Sequence, residues 1–309
     1  MIERFPITDP DQWHSLRRRD VTASQIGGLF GCHRHWTTGK IYAEKMGLPV
    51  SNPDPESSVI KRGNILEPIV AGLVREMHPD WNIIKATDYI RDPQVRIGAT
   101  VDYLVDAPRG RGVLECKTVG SGIFRRDWGG EEGEKPLWIV LQTATQMMLE
   151  GCSWGVIAAL VVGDYVFDLH VAEVERDPEA EERLKDAALQ FWSAIEKGEI
   201  PALDPQRDAD VVRLMYPTTT PDKVIDLSRD NRILELLDER ETAAAEEKAA
   251  EERKDAAETE LRAKIQDAEI ALVPGWKVTL RTTNRKAHMV KATSYRTLRA
   301  TRERAACVT

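Results

Sequence analysis

The chain has 309 residues, with 43 Lys and Arg against 51 Asp and Glu and a hydrophobic share of 42%, enough apolar material for one large domain or two smaller ones. A formal charge of −8 excludes a small basic DNA-coating protein but not nucleic acid as a ligand, because a local basic patch sets that contact. Four cysteines far apart (Cys32, Cys116, Cys152, Cys307), with no C-x-x-C pair, exclude a zinc ribbon or disulfide-dense fold and lead us to expect a reducing cytosol.

From the N-terminus, MIERFPITDPDQW is too polar for a signal peptide, and no apolar run anywhere reaches the length of a membrane span. Trp13 to Ser24 places Arg17, Arg18 and Arg19 before a Thr-Ala-Ser turn that opens a short expected helix, IGGLFG (26–31). A hydroxyl at a helix N-terminus with arginine nearby suits a phosphate. The plainer alternative is a serine N-cap beside a solvated basic face. LEPIVAGLVREMH (66–78) has helical apolar spacing. Glu67 directly precedes Pro68, which fits a first helical turn. A carboxylate there either points off the helix end toward a metal or complements the helix dipole.

IKATDYI (84–90), VRIGATVDYLV (95–105), GVLECKTV (112–119) and WGVIAALVVGDYVFDLHVAEV (154–174) are rich in Val, Ile and Tyr and read as strands. PLWIVLQTATQMMLE (136–150) and PEAEERLKDAALQFWSAIEKG (178–198) read as helices. The alternation predicts an α/β domain over residues 1–205. Residues 206–275 form a charged helical segment. Ser228 to Val273 contains neither Gly nor Pro, so a rod or a helical hairpin is expected there. Asp226 to Glu269 holds 15 acids and 8 bases, whereas residues 277–309 hold nine bases and one acid. The third segment, 276–309, is thus a basic tail that begins strand-like (276–284). Such asymmetry marks an interaction tail, or a tail that packs on the acidic helices.

The chemistry concentrates between residues 98 and 118. The turn-prone Asp106–Gly112 joins two apolar extended segments into an expected hairpin. Glu115 and Lys117 are two apart and share a face, and Asp102 on the neighbouring strand can reach it. Two carboxylates at a sheet edge make an all-oxygen site suited to Mg²⁺ or Mn²⁺. A lysine beside them can orient water for attack on phosphorus. The E-x-K triplet alone decides nothing, since two further copies lie in the charged helix (Glu246/Lys248 and Glu252/Lys254). The apolar setting and Asp102 distinguish the Glu115 copy; a surface cross-strand ion pair is the alternative. Gln142 and Gln146 lie one turn apart on an otherwise apolar helix. Buried amides there need partners, in the site or on the backbone.

In order and spacing, these pieces resemble the YqaJ-type phage recombinase exonucleases, the lambda exonuclease group of the PD-(D/E)XK nuclease superfamily. The matching stretches are W-x-x-L-R…T-A-S (Trp13 to Ser24), R-G-N-x-L-E-P (Arg62 to Pro68), G-A-T-x-D-x-L-V (Gly98 to Val105), G-V-L-E-x-K-T (Gly112 to Thr118) and Q-x-x-x-Q-M-x-x-x-G (Gln142 to Gly151). The resemblance implies a restriction-endonuclease-like core, a central mixed sheet flanked by helices. It also implies digestion of the 5′-ended strand of linear double-stranded DNA to leave a 3′ overhang. Asp102, Glu115 and the backbone carbonyl of Cys116 would hold Mg²⁺, with Glu67 as a helix-borne acid. Lys117 would position water, Gln142 would orient the lysine or water, and Arg17 and Ser24 would receive the 5′ phosphate. A ring-shaped homo-oligomer, a single-strand annealing partner and a bacterial or phage-infected cytoplasm are implied likewise. Val101 stands where the superfamily name has Pro, and Ala144 where a second Gln is often found.

The same metal site would also serve a restriction-type endonuclease. A relative of CRISPR-associated iron–sulfur exonucleases would need a C-terminal cysteine group, and only Cys307 lies near that end. A non-enzymatic DNA-binding or phage assembly module is the third alternative, and the Asp102, Glu115, Lys117 set argues against it.

Overall fold

The computed structural model describes residues 1–50, 57–128 and 135–284, together with 296, 298 and 300. Most of the basic tail, including Arg285, Lys286, Lys291, Arg299, Arg302 and Arg304, therefore lies outside the described residues. The chain divides into two units, Met1–Tyr216 and Pro217–Thr309. In the first, β1 (Glu3–Pro6), α1 (Pro10–Arg18), β2 (Val21–Thr22), α2 (Ala23–Ile26), α3 (Thr38–Lys45) and α4 (Ser58–Met77) precede a run of strands. These are β3 (Asn82–Lys85), β4 (Asp88–Asp92), β5 (Ile97–Thr100), β6 (Tyr103–Ala107) and β7 (Gly110–Gly120). Then follow α5 (Ser121–Asp127), α6 (Leu137–Glu150), β8 (Trp154–Val162), β9 (Phe167–Glu175), α7 (Pro178–Glu196) and α8 (Ala209–Met215). The expected α/β architecture, mixed sheets flanked by helices, is what these elements build.

A five-stranded sheet runs β3-β6-β7-β8-β9, parallel only between β7 and β8. Because alternate strand residues point to opposite faces, β8 feeds two cores. Val156, Ala158 and Leu160 pack with Val70, Ala71 and Val74 of α4. Ile157, Ala159 and Val161 share a cluster with Ile139 and Met147 of α6 and Leu184, Ala188 and Phe191 of α7. The caps follow from sequence: Asp9, Ser57 and Asp177 accept from the first turns of α1, α4 and α7. Gly151 closes α6 at φ 73, the left-handed region that favours glycine.

A smaller sheet, β1-β4-β5-β2, abuts the first. Two of the expected strands prove to be broken. Residues 84–90 divide into β3 and β4, and residues 95–105 into β5 and β6, one half in each sheet. The breaks coincide, and the Ala86 N–H donates to the Asp102 carbonyl at 3.2 Å across them. The β6–β7 hairpin is as expected, with Tyr103 opposite Leu114.

Two helical expectations and one boundary also change. The 26–31 helix is displaced: α2 ends at Ile26 and turns follow, the tandem glycines Gly27 and Gly28 being poor helix formers. The 66–78 helix begins earlier, capped by Ser57, so Pro68 is interior and Glu67 lies midway along α4. The unit boundary falls after Tyr216 rather than near 205, because buried Asp208 accepts from Thr37 Oγ1 and from the Asp204 N–H (2.8 Å), tying α8 to α3.

In the second unit, the segment free of Gly and Pro forms one rod rather than a hairpin: α9 (Asn231–Ile265), none of whose residues is buried. Ion pairs such as Lys248–Glu252 and Lys264–Glu260 line it, each worth a few tenths of a kcal/mol. Then β10 (Ile270–Val273) and β11 (Trp276–Thr279) pair antiparallel about Pro274–Gly275. This hairpin straddles the expected 275/276 division, and the strand over 276–284 is shorter than expected. No helix among the described residues is long and apolar enough to cross a membrane.

Asp20, fully buried, joins the smaller sheet to the turn after α1. It accepts from Arg91 Nη2 at 2.7 Å, Arg91 Nε at 2.8 Å and the Tyr89 hydroxyl at 3.0 Å. Gly98 makes room for this, since a Cβ there would stand 2.0 Å from the Tyr89 hydroxyl oxygen. Losing Asp20 leaves Arg91 with Glu3 alone, at 3.0 Å, and leaves the Tyr89 hydroxyl without its acceptor. Asp20→Ala is therefore expected to destabilise the first unit by roughly 2–4 kcal/mol in urea unfolding; a loss below about 1 kcal/mol would show the network to be dispensable.

Candidate active site

The break between β5 and β6 leaves Asp102 between the sheets. Its Oδ2 accepts the Cys116 N–H at 2.9 Å, so Asp102 occupies the edge of β7 that β6 leaves free beyond Leu114. A residue's N–H and C=O leave a strand on the same edge, so the Cys116 carbonyl is directed to this edge as well. Glu115 and Lys117 project together from β7, as their spacing predicts.

Glu115 is only 2% exposed. Its Oε1 accepts from Lys117 Nζ at 2.5 Å and Gln142 Nε2 at 2.7 Å, and its Oε2 accepts from Gln146 Nε2 at 2.7 Å. Lys117 Nζ also donates to Gln142 Oε1 at 3.2 Å. The departure at Ala144 is thus answered two residues on, because Gln146, one turn from Gln142, supplies the second amide. Its Nε2 also reaches the Thr100 carbonyl at 3.4 Å, while its Oε1 is buried with no partner among the described residues. Helical spacing placed Gln146 on the face of Gln142, but nothing in the sequence aimed it at Glu115.

Burial, then the charge of Glu115, push the Asp102 carboxyl up to about 8, against the opposing pull of Lys117. Burial alone would lower the Lys117 ammonium, but Glu115 and Asp102 outweigh it and hold the pKa above its usual value. Lys117 is thus a cation that partly balances two crowded carboxylates. Glu67 stands slightly apart on α4, ion-paired with Lys85 of β3. Lys85 in turn lies over the Tyr103 ring at 4.8 Å. Sequence gave no signal for Lys85; it comes opposite Tyr103 only through β3–β6 pairing.

Arg17 and Ser24 meet as expected, with Arg17 Nη2 donating to Ser24 Oγ at 3.2 Å and, weakly, to Thr22 Oγ1 at 3.5 Å. Thr22, rather than Ser24, is the N-cap of α2. Trp13 holds the guanidinium 4.4 Å above its ring and anchors itself through Nε1 to Thr100 Oγ1 at 3.0 Å. Burial lowers the Arg17 pKa, and no carboxylate among the described residues forms an ion pair with it. Arg17, Ser24, Glu67, Asp102, Glu115 and Lys117 all line one cavity of about 860 Å³, together with Gln142 and Gln146.

Residues 12–153 match the family of YqaJ-like viral recombinase domains, which bears out the resemblance over a stretch just short of half the chain. Among solved structures, the alkaline exonuclease LHK-Exo from Laribacter hongkongensis is 18% identical, covering 61% of this chain and 94% of its own, with a TM-score of 0.47. A phage-related exonuclease from Haemophilus somnus 129PT is 15% identical over 60% of this chain and 99% of its own, with a TM-score of 0.43. No curated protein matches the chain.

The raised Asp102 pKa gives a signed pH effect. The folded chain holds a proton that the unfolded chain releases near the ordinary aspartate value, so the contribution is complete below that value. It is lost as pH rises through about 8. Without divalent ions, the melting temperature is expected to fall across that window, and Asp102→Asn to flatten the fall. Parallel profiles for the two proteins in scanning calorimetry would refute the assignment.

Proposed function

We propose that the first unit is a divalent-metal-dependent deoxyribonuclease that removes mononucleotides from the 5′-ended strand of linear double-stranded DNA, leaving a 3′ overhang. What carries this reading is a single cavity holding, at one part, an arginine that forms no ion pair with a carboxylate among the described residues and, at another, a crowded carboxylate pair. The first suits a terminal phosphate and the second the phosphodiester to be cut. The match of residues 12–153 supports a nuclease.

The donor chemistry fits Mg²⁺, with Mn²⁺ as a substitute. Asp102 and Glu115 bring two carboxylates to the β7 edge toward which the Cys116 carbonyl is directed, and Glu67 lies at the same cavity. Among the described residues no three acidic, His or Cys side chains enclose a cation unaided. Mg²⁺ does not require them, since it keeps waters and takes substrate phosphate oxygens beside one or two carboxylates. When bound, such an ion offsets charge developing on the phosphate and lowers the pKa of the attacking water.

The chain's own groups do the rest. Water attacks phosphorus, the bond to the 3′ oxygen of the terminal nucleotide breaks, and that oxygen takes up a proton. Lys117 is held protonated by its carboxylate neighbours, so it acts as an orienting cation rather than a base. Two of its three N–H donors go to Glu115 and Gln142, leaving one for the water or a phosphate oxygen. Gln142 fixes that geometry by donating to Glu115 while accepting from Lys117. Arg17 and Ser24 hold the terminal phosphate and favour ends over internal sites, which places a restriction-type endonuclease second. Assembly as a ring-shaped homo-oligomer around DNA, action beside a single-strand annealing protein, and a bacterial or phage-infected cytoplasm belong to the same proposal.

Incubating the protein with 5′-phosphorylated linear duplex and with closed circular DNA, in Mg²⁺ or EDTA, tests this. Mononucleotides are expected from linear DNA in Mg²⁺ only, and Asp102→Ala or Lys117→Ala should abolish them. Cutting of the closed circle would move the protein to the endonucleases. Normal folding and Mg²⁺ binding without turnover would favour a binding module. Gln146→Leu removes a donor from Glu115 and is expected to reduce the rate about 10–100-fold; an unchanged rate would make Gln146 a packing residue only.

A further inference from the structure

Behind Arg17 lies a second cation. The Lys45 side chain is 1% exposed, a rare state for an ammonium group. Its Nζ donates to the Arg17 carbonyl at 3.1 Å and to Gln25 Oε1 at 3.0 Å. Gln25 Oε1 also accepts the Thr22 N–H at 3.3 Å, and Gln25 Nε2 donates to Glu44. Thr22 Oγ1 and Ser24 Oγ are 3.1 Å apart. Lys45 is therefore wired to both sides of the Arg17–Ser24 pair without reaching their hydroxyls.

The acids nearby are engaged elsewhere. Glu44 lies 3.6 Å from Lys45, and Asp20 and Glu3 both pair with Arg91. Arg17, half-buried beside Lys45, forms no ion pair with a carboxylate among the described residues, so a local positive surplus faces the cavity. A phosphate monoester, close to a dianion at neutral pH and above, fits that surplus; a hydroxyl end does not.

We propose that Lys45 is a positioning residue that makes the Arg17–Ser24 cradle selective for a terminal phosphate, by fixing the Arg17 main chain and supplying the second positive charge. This rests on the proposed role of Arg17 and Ser24. The groups facing the ammonium are Arg17 on α1, Asp20 in the turn after it, and Glu44 on α3 itself. Burial brings the Lys45 pKa down to about 8, with Glu44 opposing and Arg17 adding to the fall. Selectivity is accordingly complete while Lys45 is protonated and declines as pH rises through its pKa, which a bound phosphate displaces upward.

The test is fluorescence anisotropy with full-length protein in EDTA, using 3′-labelled duplexes ending in 5′-phosphate or 5′-hydroxyl. The readout is the ratio of the two affinities. Wild type is expected to favour phosphate, and Lys45→Met to lower the ratio roughly tenfold, the scale of one charge lost at several Å. Lys45→Arg, which cannot deprotonate, should keep the ratio and hold it through pH 9, where that of wild type declines. If Lys45→Met matches wild type while Arg17→Ala abolishes the ratio, the role of Lys45 falls and the cradle stands. Equal loss of both affinities in Lys45→Met would mean a structural role only and would also overturn the proposal. A wild-type ratio near one, unmoved by Arg17→Ala, would remove the cradle and Lys45 with it.

Discussion

Glu115 is almost fully buried on β7 at the cavity wall, and a carboxylate at that depth persists only with donors on its oxygens. Lys117, Gln142 and Gln146 are those donors. Because two of them come from α6, the requirement sets the rotation of that helix about its own axis and its register along β7. The apolar residues flanking the glutamines, Ile139 and Met147, then fall into the core with β8 and α7. The same demand fixes Lys117, which cannot leave Glu115 without exposing the charge it answers. Packing and chemistry are therefore one constraint, with the acid at its centre.

The cavity is polar in a directional sense. Arg17, with Lys45 behind it, makes one part electropositive, while Asp102, Glu115 and Glu67 make another electronegative. A polyanion finds attraction at the arginine and repulsion at the acids, so its entry depends on cations at the latter. The net charge of −8 averages over this arrangement and over the exposed acidic rod, which is why it carried so little functional information.

Much of the site was legible because it is local. The two-residue spacing of Glu115 and Lys117 fixes a shared strand face, four residues place both glutamines on one helix face, and the turn after Asp106 fixes the hairpin. What escaped was tertiary. Val95 to Val105 reads as one strand because both halves are β-prone; only pairing with two different sheets breaks it. Pro68 reads as a helix start because proline is commonest there, yet the capping by Ser57 and packing of Val70, Ala71 and Val74 carry α4 through it. Lys45 and Lys85 had no local signature, since Arg17 and Gln25 reach Lys45, and Glu67 reaches Lys85, from other elements.

The position of Asp102 at the joint between sheets has a mechanical consequence. Glu115 is riveted to the larger sheet by α6, whereas Asp102 hangs from the crossover where the chain passes from one sheet to the other. The Cys116 N–H closes that difference by tying the Asp102 carboxylate to the strand that carries Glu115. The spacing of the two acids is thus gauged on a single strand, although the backbones that supply them belong to different supports.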